Sequence, residues 1–231
     1  MKKKIILIVV ILLLIAGGTI AYLYMTDMKQ EEILIQEVNK ISELDLSSDD
    51  VDMDIKTKGD YAIVEKAIKD YINEYSNITK ATINIMNDEK IEDILSIENY
   101  KKDGPDFVET KKYVENSKKE FNDNIQKLIE LTNEESIKKN IEKANLTDNY
   151  YLELYNNLML GEEMSQDLKD TEAELVDSKE MLNEVYDTQE NVIDFLVKNK
   201  GKWSIEGDEL QFESDDLVNK YEELIDSLPK E

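Results

Sequence analysis

The stretch EEMSQDLKDTEAELVDSKEMLNEVYDTQENVIDFLVK, residues 162–198, decides the fold of the chain. It contains no proline or glycine, and side chains suited to a helix interface recur along it at steps of three and four. Such steps place residues on one face of a helix, so we predict a single helix of about 55 Å. The predicted interface consists of Met164, Leu168, Thr171, Leu175, Ser178, Leu182, Val185, Gln189, Val192 and Leu196.

Two earlier segments show the same periodicity. Residues 60–85 repeat it from Tyr61 to Ile85, and the apolar residues from Phe107 to Leu128 recur every seven positions. Breaks at residues 87–88, 103–105 and 145–147 allow the chain to reverse, which favours antiparallel packing within one chain, with Pro105 in the first turn of a helix. The same heptads suit a dimeric coiled coil, so the oligomeric state stays open.

A β-hairpin is predicted at about residues 202–213. Trp203 and Ile205 alternate with polar residues, as do Leu210 and Phe212, and Gly207 lies in the turn between them. An isolated hairpin is only marginally stable, so its apolar face is expected to dock on the helices. Alternatively, Trp203 and Phe212 form a binding surface for a sugar or a peptide, since aromatic faces suit both ligands.

The N-terminal segment predicts a membrane anchor. Ile5 to Met25 is free of charge and, as a helix, covers about 30 Å, the thickness of a bilayer core. Lys2, Lys3 and Lys4 precede it and acidic residues follow, which predicts a cytoplasmic N-terminus and an exterior C-terminal part. The alternative is a signal peptide that is cleaved, which gives a secreted protein.

This interpretation divides the chain into four parts. Residues 1–4 are a cytoplasmic stub, and residues 5–25 are the anchor or signal peptide. Residues 26–59 are a juxtamembrane helix followed by an acidic extended linker, and residues 60–231 are the extracytoplasmic helical bundle with its hairpin. The predicted fold is therefore mainly α: a transmembrane helix, then an elongated antiparallel or coiled-coil-like bundle with one small β-hairpin.

Composition excludes several kinds of chemistry. The chain has 28 basic residues against 53 acidic ones, a formal charge of −25, so nucleic acid is a poor partner. Histidine and cysteine are absent, which removes the usual general base near neutral pH and any thiol nucleophile. We identify no catalytic residue and no cofactor-binding motif in the sequence.

The acidic linker contains the one weak candidate for a metal site, namely Asp50, Asp52 and Asp54. A calcium-binding EF-hand loop needs glycine at its sixth position and glutamate at its twelfth. Counting from Asp50, Ile55 and Tyr61 occupy those positions, so the pattern fails and we predict no metal site.

The sequence predicts a membrane-anchored extracytoplasmic helical protein that binds or scaffolds in a bacterial cell envelope. Its expected partners are the membrane and either an envelope protein or a cell-wall polymer. The alternatives are a cell-wall hydrolase that uses carboxylates, and a sensor of solutes or ions that acts with a membrane partner.

Overall fold

The structure, a computed structural model, describes residues 27–142, 144–160 and 162–229. It is mainly α-helical with one small antiparallel hairpin near the C-terminus, which confirms both of these predictions. The predicted anchor, Ile5 to Met25, lies outside the described residues. Among the residues that are described, no helix is both long and apolar enough to cross a bilayer.

The helices and strands follow in chain order. They are α1 (residues 27–42), α2 (Asp60–Met86), α3 (Glu89–Asp93), α4 (Ile97–Asp103), α5 (Val108–Leu131), α6 (Glu134–Glu142), α7 (Asn149–Met159), α8 (Glu162–Lys198), β1 (Trp203–Glu206), β2 (Glu209–Phe212) and α9 (Asp215–Asp226).

The chain divides into two compact units. Unit 1 contains the described residues before Tyr75 together with residues 137–160, and unit 2 contains residues 75–136 and the described residues from 162 onward. Helix α2 therefore contributes its first part to unit 1 and its second part to unit 2.

Unit 1 has a core that begins with the predicted face of α2. The apolar residues of this face are buried, as expected from their spacing, and α1, α6 and α7 contribute the other members. The buried apolar helix residues of unit 1 are Leu34, Tyr61, Val64, Ile68, Tyr71, Ile137, Ile141, Tyr155 and Met159. Removing each such side chain from water contributes on the order of 1.5–3 kcal/mol to folding.

In unit 2, α5 and α8 pack against each other in antiparallel directions. Lys118 on α5 forms an ion pair of 2.8 Å with Glu190 on α8. One turn later on α5, Asn122 exchanges two hydrogen bonds of 2.8 and 2.9 Å with Asn183, which lies earlier on α8. Partners that advance along one helix therefore retreat along the other, as intrachain folding predicts.

The last third of α8 is buried over a wider face than the sequence predicts. Val192 and Leu196 are buried as expected, but Tyr186 and Ile193 are buried as well. These residues share one core with α3, α4 and α5, against which the hairpin and α9 pack. A helix surrounded on several sides buries more than one stripe of side chains.

The prediction that Pro105 occupies the first turn of a helix is wrong. The turn at residues 104–107 precedes α5, which begins at Val108. Phe107 has a left-handed backbone (φ 51°), which is unfavourable for a bulky residue. Its side chain is fully buried against Tyr100, and this packing compensates the unfavourable conformation.

Candidate functional site

The hairpin presents its apolar face to the helices of unit 2. Trp203 lies opposite Phe212 and Ile205 lies opposite Leu210 in the antiparallel register. These four residues are half-buried, whereas the residues between them are exposed. Period-two alternation thus gives the hairpin one face for docking and one face for water.

Trp203 is held by packing and by one hydrogen bond. Its indole Nε1 donates to the backbone carbonyl of Leu196 at 2.8 Å. Its ring lies 6.1 Å from the buried Phe107 ring and approaches Gly104, where an added Cβ would lie 3.1 Å from the indole. The indole therefore stabilises the junction between the hairpin, the end of α8 and the turn before α5.

Phe212 contributes to a second aromatic group on the same face. Its ring lies 6.0 Å from Phe195 and 5.4 Å from Tyr221, and the Tyr221 hydroxyl lies 3.0 Å from that of Tyr100. Both residues predicted to form a binding surface thus take part in docking the hairpin. A ligand-binding role for these two half-buried residues stays a prediction.

The three weak metal candidates lie in the segment that joins α1 to α2. Residues 49–58 run without helix, paired strand, turn or bend, so their backbone is extended. Along such a backbone the Cα atoms of alternate residues are about 6.6 Å apart, which spreads Asp50, Asp52 and Asp54 over about 13 Å. Within the described ranges, no cluster of acidic residues is suited to hold a metal ion.

A buried ion cluster attaches this extended segment to unit 1. The Lys69 ammonium group, 1% exposed, donates to Glu37 at 3.0 Å and to Glu65 at 2.8 Å. Its third hydrogen bond, of 2.7 Å, goes to the backbone carbonyl of Asp54. The three donors of the ammonium group are therefore all used, which offsets the cost of burying its charge.

Glu65, one turn before Lys69 on α2, holds the same segment. Its carboxylate accepts hydrogen bonds from the amide of Lys56 at 3.0 Å and from the amide and hydroxyl of Thr57 at 2.9 and 2.7 Å. Thr57 is itself buried. Helix α2 thus fixes the backbone of residues 54–57 directly through Lys69 and Glu65, and Glu37 on α1 binds Lys69.

The charges of this cluster stabilise one another. Burial acts to raise the pKa of Glu65, but the hydrogen bonds from Lys69 and Thr57 outweigh it and lower the pKa. Burial likewise acts against the charged form of Lys69, and its bonds to Glu65 and Glu37 raise its pKa. The pKa of Glu37 is lowered because hydrogen bonds from Lys40 and Lys69 outweigh the effect of burial. All three groups are therefore charged at neutral pH.

Unit 2 contains a surface groove of about 550 Å³. It lies between the α3–α4 region and the start of α5. Residues Lys90, Asp93, Ile94, Ser96, Glu98, Asn99, Lys102, Asp103, Glu109, Thr110 and Tyr113 line it.

The polar groups at the base of this groove are bonded to one another. Asn99 donates to the carbonyl of Ile94 at 2.8 Å, and the amide of Thr110 donates to Asp103 at 2.7 Å. In the described part of the chain, no buried side-chain atom without a hydrogen-bond partner belongs to a groove residue. These buried polar groups of the groove are therefore satisfied within unit 2.

Asp103 in the groove does not have the properties of a proton donor. Burial acts to raise the pKa of Asp103, but the backbone and hydroxyl of Thr110 outweigh it and lower the pKa. Carboxylate-based hydrolysis of a glycoside needs one carboxyl group that stays protonated near neutral pH. Burial and Asp88 raise the pKa of Tyr113 to about 12, so its hydroxyl is neutral.

Comparison with known proteins gives no further assignment. The chain matches no family model, no curated protein and no solved structure.

Sequence reasoning missed the residues that hold the extended segment. Glu65 and Lys69 are four residues apart within the apolar face of α2, next to Val64 and Ile68. A charged pair at this spacing usually lies on the solvent side of a helix. The position of Glu65 and Lys69 beside two core residues was a sign in the sequence that the pair is buried. Their partner Glu37 is remote in sequence and could not be predicted.

Proposed function

We propose that the chain is a membrane-anchored, extracytoplasmic protein that binds or scaffolds in a bacterial cell envelope. One observation carries this proposal: the uncharged segment from Ile5 to Met25 separates three lysines from a strongly acidic remainder. After Met25 the chain has 25 lysines against 53 acidic residues, a formal charge of −28. A lysine-flanked apolar segment of this length orients its C-terminal side outward.

The described residues support binding in preference to catalysis. Both units are helical, and the buried charges of Glu65 and Lys69 hold the segment before α2 in place. The antiparallel packing of α5 and α8 supports the finer prediction of an elongated antiparallel bundle, which belongs to the same proposal. A lipid anchor would then concentrate these helix surfaces at the membrane, which strengthens weak contacts without new interactions.

The net charge restricts the partner. A surface with a formal charge of −28 repels anionic polymers and attracts cationic proteins, and this selectivity weakens as salt screens the charges. We therefore expect the partner to be a protein with a basic surface rather than an anionic wall polymer.

Membrane fractionation tests the anchor. We expect the full-length chain to stay in the membrane pellet after washes with alkaline carbonate and with high salt, and to be released by detergent. Release by carbonate, or recovery of a shortened product in the growth medium, would contradict anchoring. The second outcome would instead support the secreted alternative.

Affinity capture tests the binding role. The detergent-solubilised chain is expected to retain a basic envelope protein at low salt and to lose it at high salt. Hydrolysis of purified cell walls by the chain would contradict a pure binding role and favour the hydrolase alternative. Direct thermal stabilisation by a solute or an ion would favour the sensor alternative.

A further inference from the structure

The extended segment between α1 and α2 has an open backbone edge. Five consecutive residues, 52–56, are exposed, whereas Val51 and Thr57 at the two ends are buried. The segment is assigned to no strand pair, although its backbone is extended. Over these five residues it spans about 17 Å, the length of a typical β-strand.

The backbone of this segment is only partly used by the protein. The carbonyl of Asp54 accepts from Lys69, the amide of Asp54 donates to the Asp52 carboxylate, and the amide of Lys56 donates to Glu65. Within the described ranges, the amides and carbonyls of Met53 and Ile55 have no hydrogen-bond partner. The backbone groups of these two exposed residues are therefore unpaired.

The side chains beside this edge define what can pair with it. Met53 and Ile55 are 41% and 39% exposed, which is high for large apolar residues. Asp52 and Asp54 have side chains that are 62% and 85% exposed. The segment thus offers apolar residues at odd positions and carboxylates at even positions.

We propose that residues 52–56 are a docking strand that a basic, extended peptide segment of a partner protein joins by β-strand addition. Backbone hydrogen bonds to Met53 and Ile55 supply the pairing, as in other complexes that extend a sheet edge. Residues directly opposite in such a pair share a face. The incoming strand therefore carries apolar residues opposite Met53 and Ile55, and cationic residues opposite Asp52 and Asp54.

The ion cluster preorganises this strand for binding. A flexible linker would lose backbone entropy when a peptide joined it, at about 1–2 kcal/mol per ordered residue. Here Lys69 and Glu65 already fix the backbone of residues 54, 56 and 57. Preorganisation of this kind lowers the cost of association.

Charge complementarity separates this occupant from a second copy of the chain. Pairing two copies of residues 52–56 in register would place the two Asp54 carboxylates against each other, which destabilises a strand pair. Lys56 lies 3.3 Å from Asp52 and 3.2 Å from Asp54, so it neutralises them only in part. A cationic strand gains attraction from both residues.

The test is a fluorescence anisotropy titration of the purified full-length chain in non-ionic detergent. The probe is a short labelled peptide of alternating lysine and valine. Its control is a peptide of the same composition with all lysines first, which keeps the charge and loses the alternation. We expect the alternating peptide to bind at least about tenfold tighter than the control.

Ile55→Pro tests the backbone edge directly. Proline removes the Ile55 amide, which has no partner in the described chain. The variant should lose the tenfold preference, whereas Ile55→Val should keep it. Far-UV circular dichroism checks that both variants retain their helices.

A second measurement leaves the protein unchanged. Two methylated forms of the alternating peptide are compared, one with N-methyl groups on the lysines and one with them on the valines. Each form has one of its two backbone edges blocked, so one form should lose binding and the other should keep it. Equal binding of the two peptides, or of both protein variants, would overturn the proposal, as would absence of binding. Self-association of the chain that Ile55→Pro abolishes would assign the edge to a second copy.

This inference deepens the proposed binding function by naming the surface and the class of partner. Because the titration uses purified protein, its failure would leave the membrane location untouched. Release from the membrane in the fractionation experiment would in turn leave a positive titration intact.

Discussion

At the residue scale, Lys69 is the side chain whose loss should affect unit 1 most. Lys69→Met removes the cation that Glu37 and Glu65 share, which leaves Glu65 only its hydrogen bonds to residues 56 and 57 and leaves Glu37 only the exposed Lys40. Breaking a buried ion cluster in this way costs about 3–5 kcal/mol. We expect a loss of this size in the free energy of unfolding, measured by urea denaturation in detergent with far-UV circular dichroism.

Lys66→Met is the matched control, because Lys66 lies one turn earlier on the same helix. Its side chain is 63% exposed and is paired with Asp70. Exposed pairs contribute less than about 1 kcal/mol. Equal losses for Lys66→Met and Lys69→Met would show that the cluster does not anchor the segment.

The same cluster predicts how stability depends on pH. Folding lowers the pKa of Glu37 and Glu65 below their ordinary value of 4.5, so their contribution is complete above that pH. It is lost as the pH falls below 4.5, because the unfolded chain takes up protons first. Folding raises the pKa of Lys69 above 10.5, so its contribution is lost only above pH 10.5.

Thermal unfolding across the acid range checks this prediction. The midpoint should fall for the natural chain as the pH drops through 4.5. In Lys69→Met this local loss of stability weakens, since protonation relieves two buried carboxylates that have lost their shared cation. The difference in midpoint between the two proteins should therefore shrink with acid, and a difference that stays constant would contradict the assigned charges.

At the scale of elements, the contact between α5 and α8 should dominate the stability of unit 2. Phe121 on α5 is fully buried in the shared core. Phe121→Ala leaves a cavity that its neighbours fill only partly, at a cost of about 3–5 kcal/mol. Trp203, the only tryptophan of the chain, reports unfolding of this unit by its fluorescence.

Val108→Ala provides the control for this prediction on the same helix. Val108 is 64% exposed, so its truncation should change the urea midpoint of Trp203 fluorescence little. If Phe121→Ala left that midpoint as unchanged as Val108→Ala does, the core assigned to α5 and α8 would be wrong.

The elements show which features a sequence can predict. The spacing of Phe107, Val114, Phe121 and Leu128 predicted four residues that are all buried. The hairpin, expected at about 202–213, has strands at Trp203–Glu206 and Glu209–Phe212. Both features depend on local periodicity and turn residues, which the sequence displays directly.

Other features depend on contacts between distant residues and could not be predicted. The burial of Tyr186 and Ile193 follows from the surroundings of α8, which its own periodicity does not show. Phe107 has a left-handed backbone because its ring fills a site beside Tyr100 and Trp203. The ion cluster around Lys69 includes Glu37, which is 32 residues away in the sequence.

At the scale of the whole molecule, the chain has two helical units that follow an anchor predicted from the sequence. The sequence predicted an acidic extended linker where the candidate docking strand lies. Its fixed backbone and its unpaired backbone groups follow from tertiary contacts. Its acidity agrees with the charge of −28 after Met25, which favours basic partners over the entire outer part.

Cysteine labelling of intact cells tests the central claim most directly, since the chain has no cysteine of its own. Two variants are compared, Lys3→Cys before the apolar segment and the exposed Glu43→Cys after it. A maleimide that cannot cross membranes should label Glu43→Cys on intact cells and Lys3→Cys only after permeabilisation. Protection of Glu43→Cys on intact cells, or labelling of Lys3→Cys there, would contradict an N-terminal anchor with the acidic helical units outside.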